Sequence, residues 1–211
     1  MFLRNIIYRL LQYRSCLHYF KGLGFHKIFS TNLATEAGVS SEQVRKDFSL
    51  FGIKGNKKGG YEIDELLNSL DKILQKDVHE KMILIGMGNI GKALAQYKGF
   101  NKDNISIVAA FDIDPSKQNK AHGVPIYPIN KLKQIISKHN VKIAILTVPV
   151  SVAQDLCNLL VENHVLGIIN FAPIILKVPE GVIVNNINLT HELNNMIYFI
   201  NINKEIEKVV N

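Results

Sequence analysis

The segment Ile83–Lys92, ILIGMGNIGK, sets Gly86, Gly88 and Gly91 in the spacing G-x-G-x-x-G at the end of an apolar run. A continuous apolar run is what a strand buried on both faces of a parallel sheet requires. The following IGKALAQY has helical periodicity. In that setting each glycine has a separate job. Gly86 permits a tight turn, Gly88 lets the backbone approach a pyrophosphate, and Gly91 allows the helix to pack closely on its strand. The helix N-terminus then faces the phosphates. Gly86, Met87, Gly88, Asn89, Ile90 and Gly91 are therefore the candidate phosphate-binding turn. Asp112 lies 21 residues past Gly91, at the end of a second apolar strand, ISIVAAF. A carboxylate there accepts hydrogen bonds from the adenosine ribose hydroxyls and repels a 2′-phosphate, which favours NAD over NADP. Asp114 is the neighbouring alternative, but it reads as a turn residue before Pro115.

The alternation of strand and helix continues to the end of the sheet. VPIY reads as a short strand, INKLKQIISKHN as a helix, VKIAILTV as a strand, VAQDLCNLLVENH as a helix, and LGIINF and GVIVNNINL as strands. Thr147, Val148 and Pro149 close one strand; Asn170, Phe171, Ala172 and Pro173 close the next. Ligands of open parallel sheets sit at the carboxyl ends of strands, so both loops are candidates to enclose the nicotinamide half. Spacing alone fits ordinary strand-to-helix punctuation equally well. The last segment, THELNNMIYFININ, carries Leu193, Ile197 and Ile200 near helical spacing, with Met196, Tyr198 and Phe199 beside them. It is too apolar for a free surface helix and is expected to bury itself, on its own sheet or on a partner.

The preceding residues differ in charge. Residues 1–61 hold 10 Lys and Arg against 3 Asp and Glu, a net of +7, whereas residues 62–211 hold 15 of each. The whole excess of the chain sits in its first part, which suggests a polyanionic partner for that part alone. NIIYRLLQYRSCLHYF has apolar Ile7, Leu10, Leu11, Leu17 and Phe20 at helical spacing and stops at Gly22 and Gly24. A short second helix follows Ser30 or Thr31 and runs to Gly38. Ser40 opens a third with a capping box, Gln43 reaching back to Ser40. On this third helix Val44, Phe48 and Phe51 face inward, while Arg45, Lys46 and Ser49 face solvent. The pair forms a helix-turn-helix pattern. FGIKGNKKGGYEI reads as two short strands around a turn, a wing carrying Lys54, Lys57 and Lys58. Such a module lays its third helix in the major groove while the wing holds phosphates or enters the minor groove. An amphipathic helix, YEIDELLNSLDKILQKD, leads out of it.

Composition narrows the classes. No apolar run reaches the roughly 18 residues a membrane helix needs. The basic start MFLRNIIYRLLQYR superficially resembles a transit peptide, but the same segment serves as a first domain helix. Cys16 and Cys157 lie far apart and no C-x-x-C exists, so a reducing cytoplasm fits and a disulfide or zinc framework does not. The seven histidines are scattered, and His122, His139 and His164 read as surface residues. No Ser/His/Asp or Cys/His arrangement declares itself, and few residues remain to build a substrate domain. A dinucleotide bound without a reaction partner points to sensing rather than catalysis.

Several blocks in one order, QVRKDFSLFG, GNKKGGYEIDELL, GMGNIGKAL, AAFDIDP, GVPIY, AILTVP, INFAP and VPEGVIV, resemble the redox-sensing transcriptional repressors of the Rex family, from about Tyr13 to Phe199. The resemblance implies an α/β chain that is not an enzyme. It divides into a winged helix-turn-helix domain (1–78), a Rossmann-type parallel-sheet domain binding NADH or NAD⁺ (79–188) and a C-terminal helix exchanged between the subunits of a homodimer (189–211). It implies binding to operator DNA when NADH is scarce and release when NADH rises. Carried over, the DNA contacts would be Gln43, Arg45, Lys46 and Ser49, with Lys54 and Lys57, Lys58, Gly59 and Tyr61 in the wing. The cofactor contacts would be Gly86 to Gly91, Tyr97, Asp112, the Val148–Pro149 loop and the Asn170–Pro173 loop. One departure stands out: Asn188 occupies a place where the family often has an aspartate, associated with a salt bridge to a first-helix arginine, here Arg14. Rival readings are a small NAD-dependent oxidoreductase with a basic helical extension, a CoA-binding Rossmann domain, and a DNA-binding protein whose Rossmann fold is only structural.

Overall fold

The computed structural model describes residues 2–56, 59–118 and 123–210, with side chains for 3–56, 59–118 and 123–203. Lys57, Lys58 and His122 lie outside the described residues. The chain divides into two compact units, Met1–His79 and Glu80–Asn211.

The first unit begins with helix α1 (Phe2–Gly22). A short strand β1 (Lys27–Ile28) precedes α2 (Ser30–Ala37) and α3 (Ser41–Leu50). Strand β2 (Tyr61–Glu62) leads into α4 (Ile63–Ile73). The four helices share a core of Ile6, Leu10, Tyr13, Leu17, Leu33, Val44, Phe48, Leu66 and Leu70. The buried stripe of α1 differs from the expected one. Ile6, Leu10, Tyr13 and Leu17 point inward, while Leu11 is exposed and Ile7 and Phe20 are half-buried. The stripe is turned because Tyr13, which combines an apolar ring with a hydroxyl, goes inward to a buried partner. Between α2 and α3, Gly38 takes the left-handed conformation (φ 66°) that glycine adopts without strain, and Val39 N–H closes back on Ala34 O.

The wing expected from FGIKGNKKGGYEI keeps an antiparallel bridge across its turn, between Asn56 and Gly60, but its second strand pairs elsewhere. Strand β2 pairs antiparallel with β1, in the register Lys27↔Glu62 and Ile28↔Tyr61, rather than with residues before the turn. Asn56 and Gly60 exchange reciprocal backbone bonds of 2.9 and 2.8 Å. A side chain at Gly60 would meet Ile28 O at 2.5 Å, so β1 lies directly against this end of the turn.

The second unit alternates strand and helix. Its elements are β3 (Glu80–Ile85), α5 (Asn89–Ala95), α6 (Gly99–Lys102), β4 (Ile105–Phe111), β5 (Ile126–Tyr127), α7 (Leu132–His139), β6 (Ile143–Leu146), α8 (Val150–Glu162), β7 (Gly167–Asn170), β8 (Ile183–Asn186) and α9 (Leu189–Val210). The one-turn α6 had no counterpart in the sequence reading. The six strands are all parallel, in the order β5-β4-β3-β6-β7-β8. That is the doubly wound dinucleotide-binding order, with its switch point between β3 and β6. The two-residue period of β3 feeds both layers. Ile83 and Ile85 join the core under α7 and α8, and Met82 and Leu84 join the opposite core.

The C-terminal α9 does not bury itself on this sheet. Leu189, Leu193, Met196, Ile197, Tyr198, Phe199 and Ile200 are all exposed. Asn188 caps it, its Oδ1 accepting His191 N–H at 3.1 Å. Among the described residues no helix is long and apolar enough to cross a membrane.

Candidate functional site

At the switch point the ends of β3, β4 and β6 open a largely apolar cavity of about 680 Å³. Its walls include Gly86, Gly88, Asp112, Ile113, Lys117, Thr147, Val148 and Pro149. The three glycines separate by what surrounds them. A Cβ on Gly86 (φ 96°) would sit 2.6 Å from Thr147 O, and one on Gly91 2.0 Å from Gly86 O. Those two positions are closed by the protein's own backbone. A Cβ on Gly88 would meet nothing within 4 Å. The space that glycine keeps clear is thus open to a ligand, at the N-terminus of α5, as a pyrophosphate requires. Thr147 staples the turn to the neighbouring strand: its hydroxyl donates to Gly86 O at 2.7 Å and lies 3.1 Å from Ile85 O.

Asp112 stands at the lip of this cavity, only 9% exposed. Its Oδ2 accepts Met87 N–H at 2.7 Å and the Lys117 ammonium at 3.1 Å, and its Oδ1 accepts Asp114 N–H at 2.9 Å. Burial opposes ionisation, but the two backbone donors and Lys117 outweigh it and hold the carboxyl below its ordinary range. An ionised carboxylate has about four acceptor sites, so one on Oδ1 remains for a ribose hydroxyl while Lys117 stays in place. Asp114 takes the turn role, accepting Ser116 N–H at 2.9 Å.

The other expected cofactor residues fall in different places. Met87 has a fully buried side chain and offers only its N–H, already given to Asp112. Asn89 and Ile90 are exposed at the start of α5. Asn170 is fully buried: its amide donates to Ile174 O and Asn186 Oδ1 at 2.8 and 2.9 Å and accepts Ala172 N–H at 3.0 Å. It fastens the loop after β7 and does not reach the cavity. Ala172 is likewise buried, Phe171 half-buried and Pro173 exposed. Tyr97 is 60% exposed and stacks edge-on against Phe100 at 5.0 Å. None of these, nor Gly91, is among the cavity walls. Sequence reading missed Lys117 and the stapling role of Thr147.

In the first unit Arg45, Lys46, Ser49 and Lys54 are exposed, and Arg45 Nη1 donates to Ser30 Oγ at 3.1 Å. Gly59 N–H is 3.3 Å from Asn56 Oδ1 within the wing loop. Tyr61 is half-buried, its ring edge-on to Phe48 at 5.3 Å, and burial raises its hydroxyl's pKa. The capping box is half-formed. Ser40 Oγ accepts Gln43 N–H at 3.1 Å, but the Gln43 side chain turns away to Asp47, Nε2 to Oδ1 at 2.7 Å. Asp47 went unnoticed in the sequence, although an acid between Val44 and Phe48 on the inward stripe was a signal. It is fully buried and also accepts two bonds from Arg9, at 2.6 and 2.7 Å, and one from the Tyr13 hydroxyl at 2.9 Å. Burial works against its charge, but Arg9, Tyr13 and Gln43 together hold it below the usual carboxylate range. Arg14, expected opposite residue 188, pairs within its own unit with Asp71, Nε to Oδ1 at 2.5 Å.

Two family models match in succession: a "putative DNA-binding protein N-terminus" over residues 4–49 and a "CoA binding domain" over residues 77–174. The redox-sensing transcriptional repressor Rex of Listeria welshimeri is 40% identical over 193 residues, covering 91% of this chain and 90% of that protein. The chain belongs to the Rex family. A second Rex, from Lactiplantibacillus plantarum, is 42% identical over 175 residues, covering 82% and 78%. Solved structures agree over the whole length. RSP, a Rex-family repressor, is 33% identical with a TM-score of 0.87, covering 98% of this chain and 97% of that one. RSP in complex with β-NAD⁺ and operator DNA has a TM-score of 0.89, and RSP in complex with β-NADH one of 0.87. The Rex relatives are named as repressors, which sets aside the oxidoreductase reading of the Gly86–Gly91 turn.

Proposed function

We propose that this Rex-family protein is a homodimeric repressor that reads NADH with its second unit and operator DNA with its first, in the cytoplasm. The observation that carries the reading is the cleft at the switch point, where Gly88 leaves open space and Asp112 keeps an acceptor site. The turn residues Gly86–Gly91 take the pyrophosphate and Asp112 the adenosine ribose, while Tyr97, the Val148–Pro149 loop and the Asn170–Pro173 loop border the nicotinamide half. Asn170 and Ala172 act there by fixing the loop. RSP, the similar repressor, is known with NADH and with NAD⁺ and operator DNA, which supports both ligands here.

On the DNA side, Gln43, Arg45, Lys46 and Ser49 form the reading face, and Lys54, Lys57, Lys58, Gly59 and Tyr61 the wing. Domains of 1–78 and 79–188 fit this assignment. The exposed apolar residues of α9 between Leu189 and Ile200 fit a C-terminal segment, 189–211, exchanged between subunits, since a large exposed apolar patch marks an association surface.

NADH and NAD⁺ differ by a hydride and a positive charge, and an apolar pocket disfavours the buried cation. NADH can shift DNA binding only by favouring one dimer state over another, which alters the spacing of two recognition helices against two half-sites. The test is DNA affinity at fixed salt with rising NADH, on a duplex selected by the protein itself. Affinity should fall; unchanged affinity at saturating NADH overturns the reading. Titration with NADPH and CoA beside it checks the ligand class, because the matched second domain is described by its CoA-binding relatives.

A further inference from the structure

Gln43 is the third residue of α3, in the first turn of the helix assigned to the major groove, and its side chain is not free. Its Nε2 lies 2.7 Å from Asp47 Oδ1. A carboxylate only accepts, so the amide nitrogen must be the end that turns inward, and the amide oxygen must turn away. Asp47 cannot adapt to the opposite arrangement. It is fully buried, and its four acceptor sites are filled by Arg9 Nε and Nη2, the Tyr13 hydroxyl and Gln43. Arg9 and Tyr13 belong to α1, so the carboxylate is anchored from a second helix, outside the DNA-reading face.

We infer that Asp47 is a positioning residue that sets the amide of Gln43 to present its oxygen and one remaining N–H outward, so that the recognition helix selects adenine at one base pair. In the major groove adenine offers an N6 amine donor beside an N7 acceptor, which matches that pair of atoms. Guanine presents two acceptors and leaves the outward oxygen facing an acceptor. This rests on the DNA-binding reading above and adds to it the atom that sets the preference.

The test uses the full-length protein and a randomised duplex pool, sequencing the bound fraction for wild type, Asp47→Asn and Gln43→Ala. Gln43→Ala identifies the base pair, which it leaves unselected. Wild type should prefer adenine there by roughly tenfold. In Asp47→Asn the carboxamide oxygen still serves Arg9 Nε and Tyr13, and its amine faces Gln43 and Arg9 Nη2, whose bond is lost. The Gln43 amide then flips, and preference at that one pair should move from adenine to guanine. The slope of affinity against salt, which counts phosphate contacts, should stay unchanged. Uniform weakening at every position, or adenine retained in Asp47→Asn, overturns the inference. If Asp47→Asn does not fold, as judged by circular dichroism, the comparison of wild type with Gln43→Ala decides. Loss of adenine at one pair supports it, whereas loss of guanine or thymine, or no change, overturns it. A wild type that selects no sequence overturns the DNA-binding reading and this inference together.

Discussion

Each unit of the chain buries one acid among its described residues, Asp47 in the first and Asp112 in the second, and the two are used in opposite ways. Both are held ionised against burial by hydrogen-bond donors. Asp47 takes four bonds, all but Gln43's from a neighbouring helix, and has no site left. Asp112 takes three, two from backbone N–H groups and one from the Lys117 ammonium, and keeps one site open beside a cavity. Burial and charge state are alike in the two carboxylates. The count of filled acceptor sites is what differs.

Removing the saturated carboxylate should have the largest effect. Asp47→Ala leaves the Arg9 guanidinium and the buried Tyr13 hydroxyl without an acceptor, and should cost the first unit about 3 kcal/mol, the lower end for breaking a buried pair because Arg9 is partly exposed. Urea unfolding followed by a first-unit probe measures it. A cost below about 1 kcal/mol would show that the network is dispensable. Gly91→Ala should come next, since its Cβ would collide with Gly86 O, at a cost of about 1–3 kcal/mol to the second unit in thermal unfolding.

Asp112→Asn turns an amide N–H toward one of the two backbone N–H groups the carboxylate accepts and should cost the second unit about 1 kcal/mol, while weakening NADH by about tenfold in a fluorescence titration, the value of one charge-assisted bond. An effect on stability as large as that of Asp47→Ala would erase the contrast between the two acids. Gly88→Ala sharpens it from the other side. With open space around the new methyl, stability should change by less than about 0.5 kcal/mol while NADH binding is lost.

The smallest effect is shared. Both carboxyls have folded pKa values below their unfolded ones, so each contributes stability at neutral pH that persists above the ordinary carboxylate range. That contribution is lost as pH falls through the folded values. Acid titration of unfolding should therefore weaken both units, and saturating NADH should protect only the second.

Much of this was legible in the chain. The period-two and period-3.6 patterns located almost every element, and the strand–turn–helix around Gly86–Gly91 with Asp112 fixed the cleft, because local backbone needs and burial on both sheet faces leave direct traces in residue type. The charge excess in residues 1–61 marked the DNA-binding part for the same reason. What the sequence could not supply were pairings across long separations. Tyr61 pairs with Ile28 rather than across its own turn, Gln43 leaves Ser40 for Asp47, Arg9 reaches Asp47 from another helix, and Asn170 serves its loop instead of the cleft. Each is a choice among several nearby acceptors or edges, and only the packed arrangement of the elements decides which lies within about 3 Å.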